Sequence, residues 1–115
     1  MEEAIFLKRL AQDPETISFG DTMEVIGEHY SFEPTHFING AQTNAAGQNN
    51  GSCKVFSFAN LHGLMEHETL LCFGEHYRDV LEDLEGDNHP NIRNFMQTGW
   101  KGIRFERGAL RPKNP

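Results

Sequence analysis

The chain has 115 residues, a formal net charge of −7, 37% hydrophobic residues and nine Phe. That fits a single domain with an aromatic-rich core, burying about two thirds of the surface of the unfolded chain. The acidic balance argues against nucleic-acid binding, and the lack of a run of about 18 apolar residues argues against a membrane-spanning helix.

The opening MEEAIFLKRLAQD has acids where a secretory signal needs bases, which places the protein in the cytosol. Cys53 and Cys72 stand among apolar residues and are expected to be reduced and packed, since two cysteines do not make a disulfide scaffold. The charge is uneven. Residues 66–87 carry eight acids with Arg78 as the base, and residues 88–115 carry six bases against Glu106. The two segments are expected to lie against each other as solvated faces of a monomer.

Residues 2–12 read as a helix with Phe6, Leu7 and Leu10 on one side, ended by Asp13-Pro14. This helix and the linker to residue 18 form an N-terminal arm. Ser18 is placed to cap a second helix, in which Phe19, Met23, Ile26 and Tyr30 share a face. Asp21 falls in its first turn, where the helix dipole favours an acid. Residues 36–42 read as a hairpin turning at Asn39-Gly40, because Asn-Gly tolerates positive φ. Residues 44–51 form a polar loop. Ser52 is placed to cap a third helix, 53–63, which is apolar nearly all round and therefore buried.

Residues 66–84 read as one amphipathic helix with Leu70, Phe73, Tyr77, Val80 and Leu84 inward and the acids outward. Gly74 within it costs about 1 kcal/mol relative to Ala and points to a close helix contact. Pro90 opens a short helix to residue 98, with Ile92, Phe95 and Met96 inward, and Gly99 supplies its left-handed end. Ile103-Arg104-Phe105-Glu106 alternates as a strand and is expected to join the hairpin. The tail, residues 108–115, is expected to fray. The fold class is α+β: a mostly helical single domain of about five helices with a small antiparallel sheet from segments near 36–38, 41–44 and 103–106. The core is expected from Phe19, Met23, Ile26, Phe37, Phe56, Phe58, Leu70, Phe73, Tyr77, Phe95 and Trp100. Asp21-Thr22…Gly27-Glu28-His29-Tyr30 is echoed by Glu68-Thr69…Gly74-Glu75-His76-Tyr77 at the same spacing, over too short a span to indicate a repeat.

The residues suggest four kinds of chemistry. Cys53 would start a helix, where the dipole favours thiolate, with Gln48 as oxyanion donor and His89 or His62 as base. The plainer reading is a small buried residue opening a core helix, so Cys53 and His89 are weak catalytic candidates. The six histidines form no HExxH pattern and the cysteines no CxxC pair, so no metal site or cofactor is expected; the histidines read as surface or capping residues. The acids of residues 82–87 lie in a strongly charged, exposed stretch, a poor setting for general acids. The fourth kind is recognition by amides. Residues 36–63 hold five Asn, two Gln and four Gly. Asn39, Asn44, Gln48, Asn49, Ser52 and Lys54, with His89, Asn91, Arg93 and Asn94, are the candidate binding residues for a protein partner or small polar ligand. The alternative is that these amides satisfy loop backbone.

The chain resembles the HopJ type III effector family over about residues 19–110. The resemblance rests on Tyr30 with Pro34, Phe37 and Asn39-Gly40, then Asn44 with Gly47-Gln48-Asn49 and Gly51-Ser52-Cys53-Lys54. It continues in Leu70 with Cys72-Phe73-Gly74 and in Tyr77-Arg78-Asp79-Val80-Leu81. It ends in His89, Asn91-Ile92-Arg93-Asn94-Phe95-Met96, Gly99-Trp100 and Gly102-Ile103-Arg104-Phe105. The resemblance implies a relative of proteins that plant pathogens deliver into host cells through a needle-like secretion apparatus, and hence an interaction role. It carries no established reaction, so the function expected is a binding module, with a Cys53-dependent hydrolase or transferase as the rival.

Overall fold

The computed structural model describes residues 1–113; the last two residues of the expected tail lie outside them. The architecture is α+β, with six α-helices among the described residues and two small antiparallel sheets. None of these helices is long and apolar enough to cross a membrane.

Helix α1 (Glu3–Gln12) buries Phe6 and Leu10, one turn apart on a single face. Helix α2 (Phe19–His29) starts at a reciprocal cap. The Asp21 amide donates to Ser18 Oγ at 3.0 Å, and the Ser18 amide donates to Asp21 Oδ2 at 3.1 Å. Two donors left over at a helix start are thereby satisfied. The chain then runs directly into strand β1 (Tyr30–Phe32).

Strand β2 (Phe37–Asn39) forms the expected hairpin with β3 (Gln42–Asn44), and β4 (Ile103–Phe105) pairs on its other side, giving the order β3-β2-β4. The turn is displaced by one residue from the sequence expectation. Gly40 and Ala41 are its central pair, Gly40 has φ +58°, and Asn39 stays in the strand, paired with Gln42 and Ile103. Its side chain is fully buried.

Helix α3 (Asn50–Leu61) begins three residues earlier than Ser52 implied and runs through the centre of the molecule. Phe56 is its hub, within 4.9–6.5 Å, ring centre to ring centre, of Phe37, Phe73, Phe95 and Trp100. Edge-to-face and tilted aromatic pairs of this kind add about 1 kcal/mol each to the burial of the rings. Of the expected core residues, Phe19, Met23 and Trp100 are only partly buried and cover the edge of this cluster.

The single helix expected over residues 66–84 is two helices, α4 (Glu66–Leu71) and α5 (Glu75–Glu82). The break is at Gly74, with φ +57°. A Cβ there would lie 2.5 Å from the Phe19 backbone nitrogen and 2.7 Å from the Ser18 carbonyl carbon. The close contact expected of Gly74 exists, and it is made with the start of α2 at the cost of helical continuity. Because α5 ends at Glu82, Leu84 lies beyond it and is 66% exposed rather than inward. Helix α6 (Pro90–Thr98) has the expected Pro start and Gly99 end, but Met96 is on its exposed side.

The tail is not frayed over residues 110–112. Strand β5 (Leu110–Pro112) pairs antiparallel with β1 in the register Tyr30↔Pro112, Ser31↔Arg111 and Phe32↔Leu110. Burial of Ala109 and Leu110 anchors it. Arg107 and Arg111 near this end meet Glu33, at 3.8 Å and 4.0 Å. The earlier part of the basic segment does lie against residues 66–87: Arg93 donates to the Leu84 carbonyl at 3.2 Å and the Trp100 amide to Glu66 Oε2 at 2.9 Å.

Candidate functional site

The amides singled out in the sequence divide into an interior set and a surface set. Asn39, Asn44 and Asn91 are buried and bonded to one another. Asn39 Nδ2 donates to the Asn91 carbonyl at 2.7 Å and to Asn91 Oδ1 at 3.0 Å. Asn91 Nδ2 donates to Asn44 Oδ1 at 2.9 Å, and Asn44 Nδ2 donates to the Phe37 carbonyl at 3.3 Å. Asn49 Nδ2 also donates to Asn44 Oδ1, at 2.7 Å. These side chains are spent on the fold. They tie the hairpin to the beginnings of α3 and α6, and so fix the spacing of those two helix starts. Buried polar groups are usually partnered, and each bond is stronger in the low-dielectric interior than in water. Asn39 Oδ1 is the exception in this set, buried without a hydrogen-bond partner.

The two helix starts form opposite sides of a cleft of about 300 Å³. Asn49, Gly51 and Ser52 line it from α3; His89, Pro90 and Asn91 line it from α6. His76 comes from the first turn of α5, and Phe19 and Phe73 close the apolar side as stacked rings 6.3 Å apart. Gly51 permits this arrangement, since a Cβ there would lie 2.7 Å from the tip of the Phe19 ring.

The residues preceding α3 and α6 are the two non-glycine residues with positive φ among those described, Asn49 at 52° and His89 at 51°. Neither makes a side-chain cap to its own helix. Asn and His adopt the left-handed region more readily than most residues, and positions of this kind gather at sites of function. The uncapped first-turn amides are aligned with the positive ends of the helix dipoles.

The remaining predicted residues lie elsewhere. Lys54 Nζ sits 4.9 Å above the Phe32 ring. Gln48 is exposed and accepts from the Ala45 amide at 3.1 Å, closing its own loop. Arg93 binds the loop before α6, donating to the Leu84 carbonyl at 3.2 Å and to both Asn88 oxygens. The Asn94 carbonyl accepts from the Thr98 hydroxyl at 3.0 Å. Cys53 is 1% exposed and does not line the cleft, and burial pushes its thiol up, away from thiolate. Cys72 is pushed up by burial to about 12. Both features oppose nucleophilic use.

Sequence reasoning missed Phe19, Phe73, His76 and Asp79. Asp79 accompanies His76 one turn along α5, and His89 meets both from the start of α6. His89 Nε2 is 3.7 Å from Asp79 Oδ2, and the His76 and His89 ring centres are 4.9 Å apart. One donor atom from each residue lies within 4.8 Å of the others. The signal in the sequence was His76 and Asp79 at i and i+3 on one helix; only the fold brings His89 to them.

A family model described as HopJ type III effector protein matches residues 3–110. The chain belongs to this family. A solved relative, described as the crystal structure of unknown function protein VPA0580, is 53% identical and superposes with a TM-score of 0.96. The match covers 98% of this chain and 95% of that one. No curated protein matches the chain. Membership in the HopJ family names no reaction.

Proposed function

We propose that this HopJ-family protein is a binding module that takes a small polar ligand in the cleft between the starts of α3 and α6. The observation that carries this reading is the convergence of chain segments near residues 19, 49–52, 73–76 and 89–92 on one concavity. Its volume lies near the lower end of the range for small-molecule sites, about 300–1,000 Å³, which favours a small molecule over a folded partner. Its chemistry favours a ligand presenting an anionic or carbonyl oxygen. Helix-start amides and the Ser52 hydroxyl offer donors, the two histidines offer ring nitrogens, and no acid is among the cleft residues. The Phe19 and Phe73 rings receive the apolar side of such a ligand.

The test is amide NMR of the ¹⁵N-labelled protein titrated with inorganic phosphate, citrate and glucose. An anion is expected to move the signals of residues 50–52, 91 and 92 along saturable curves, and Ser52→Phe, which fills the cleft, is expected to abolish the effect. If all three probes leave those amides unmoved, or the shifts survive Ser52→Phe, the cleft is not a ligand site.

A further inference from the structure

We propose that His76, Asp79 and His89 form a binding site for a divalent transition metal ion at the mouth of the cleft, with Zn²⁺ as the reference ion. The proposal does not depend on an organic ligand occupying the cleft. Two imidazoles and one carboxylate are a borderline donor set suited to zinc and its first-row neighbours.

The geometry is close to that of a closed site. Around a four-coordinate ion with bonds of about 2.1 Å, donor atoms stand about 3.4 Å apart. The three donor atoms here lie within 4.8 Å of one another, and the His89–Asp79 pair is already at 3.7 Å. A contraction of at most about 1.4 Å closes the set, a movement within the reach of side-chain rotation.

The backbone holds the donors in this arrangement. His76 and Asp79 stand on one face of α5, and the His76 ring is packed edge-on to Phe19 with centres 4.7 Å apart. His89 comes from a different direction, its ring set by the left-handed backbone that precedes α6. The loop carrying it is pinned by Arg93 through Asn88 and the Leu84 carbonyl.

Three protein ligands leave at least one position open to water or another ligand. Both imidazoles also line the cleft, so an ion held by them would lie beside it. The metal would thus present a Lewis-acidic centre to whatever oxygen enters.

The experiment uses the full chain stripped with chelator and titrated calorimetrically with Zn²⁺ alone, with Co²⁺ visible absorption as a second readout of coordination. One ion per chain is expected. Asp79→Asn, which keeps side-chain shape, and His89→Gly, which accepts the left-handed backbone without strain, should each weaken binding at least about tenfold. Circular dichroism should be unchanged in both, and His67→Ala should bind as the parent does. No uptake of Zn²⁺ at neutral pH overturns the proposal. So does uptake indifferent to Asp79→Asn and His89→Gly, which would place the ion on other histidines. A His89→Gly chain that fails to fold leaves Asp79→Asn to decide. Failure of the anion titration leaves these outcomes untouched, so the two readings stand or fall separately.

Discussion

Replacing Asn44 by Ala tests whether the interior amides hold the cleft together. The change removes the acceptor of Asn91 Nδ2, at 2.9 Å, and of Asn49 Nδ2, at 2.7 Å. It also removes a donor to the Phe37 carbonyl. Asn49 is at the surface and water replaces its lost partner, but Asn91 is 4% exposed and its Nδ2 is stranded. A stranded buried donor together with the lost bonds amounts to about 3 kcal/mol. For a chain of this size that corresponds to a melting temperature about 12 °C lower. The assay is urea unfolding followed by circular dichroism, with an unchanged slope showing that the two end states are the same. Asn44→Asp is expected to be at least as harmful. It keeps the accepting oxygen but sets a second, charged oxygen against the Phe37 carbonyl and Asn91 Oδ1. A double-mutant cycle of Asn44→Ala with Asn91→Ala should show coupling of at least about 1 kcal/mol. A loss below about 0.5 kcal/mol for Asn44→Ala, or strict additivity in the cycle, would refute the reasoning.

Gly74→Ala is expected to lose about 3 kcal/mol or more, since it combines positive φ with a clash against fixed backbone; thermal unfolding measures it, and near-parental stability would contradict the geometry. Tyr30, hydrogen-bonded to Glu3, has its pKa raised from 10.0 to about 12 by burial and by that bond. Because the folded value is the higher one, the stabilisation is present below pH 10 and is lost as pH rises toward 12. Tyr30→Phe should remove that alkaline dependence in pH-resolved unfolding. Glu3 is the acid counterpart: burial pushes its carboxyl up, and the bonds to Tyr30 and His62 outweigh that and hold it below 4.5. Its contribution is present above pH 4.5 and is lost as pH falls through the lower folded value, so Glu3→Gln should flatten the acid limb. Iodoacetamide should label Cys53 more slowly in the native protein than in urea, and labelling of the folded chain at the rate of a free thiol would reopen the nucleophile reading.

What could be read from the sequence is what depends on neighbours in the chain. The Ser18 cap and the Pro90 start with the Gly99 stop are of this kind. The aromatic core and the joining of residues 103–105 to the hairpin link distant segments, and were legible from the Phe-rich apolar pattern and the strand alternation instead. The departures come from contacts between distant segments. Gly74 breaks a helix because the start of α2 lies against it, which the periodicity of residues 66–84 does not record. Phe32 and Ala109-Leu110 are short apolar stretches in polar surroundings, and their strands pair only with each other. Of the candidate binding residues, Asn49, Ser52, His89 and Asn91 line the cleft. The sequence could not separate amides that work inside, such as Asn39 and Asn44, from those at the surface. An Asn side chain is stable in either place, and its partners are set by topology. His76 and Asp79 escaped notice because their companion, His89, comes from another helix.

The pairing of β1 with β5 has a consequence for synthesis. Strand β1 emerges long before its partner β5, so its pairing edge stays open while the intervening residues are being added. Closure must follow emergence of residue 112 from the ribosome. Until then the nascent chain exposes Tyr30 and Phe32 to the cell, in the interval when a chaperone has most to offer.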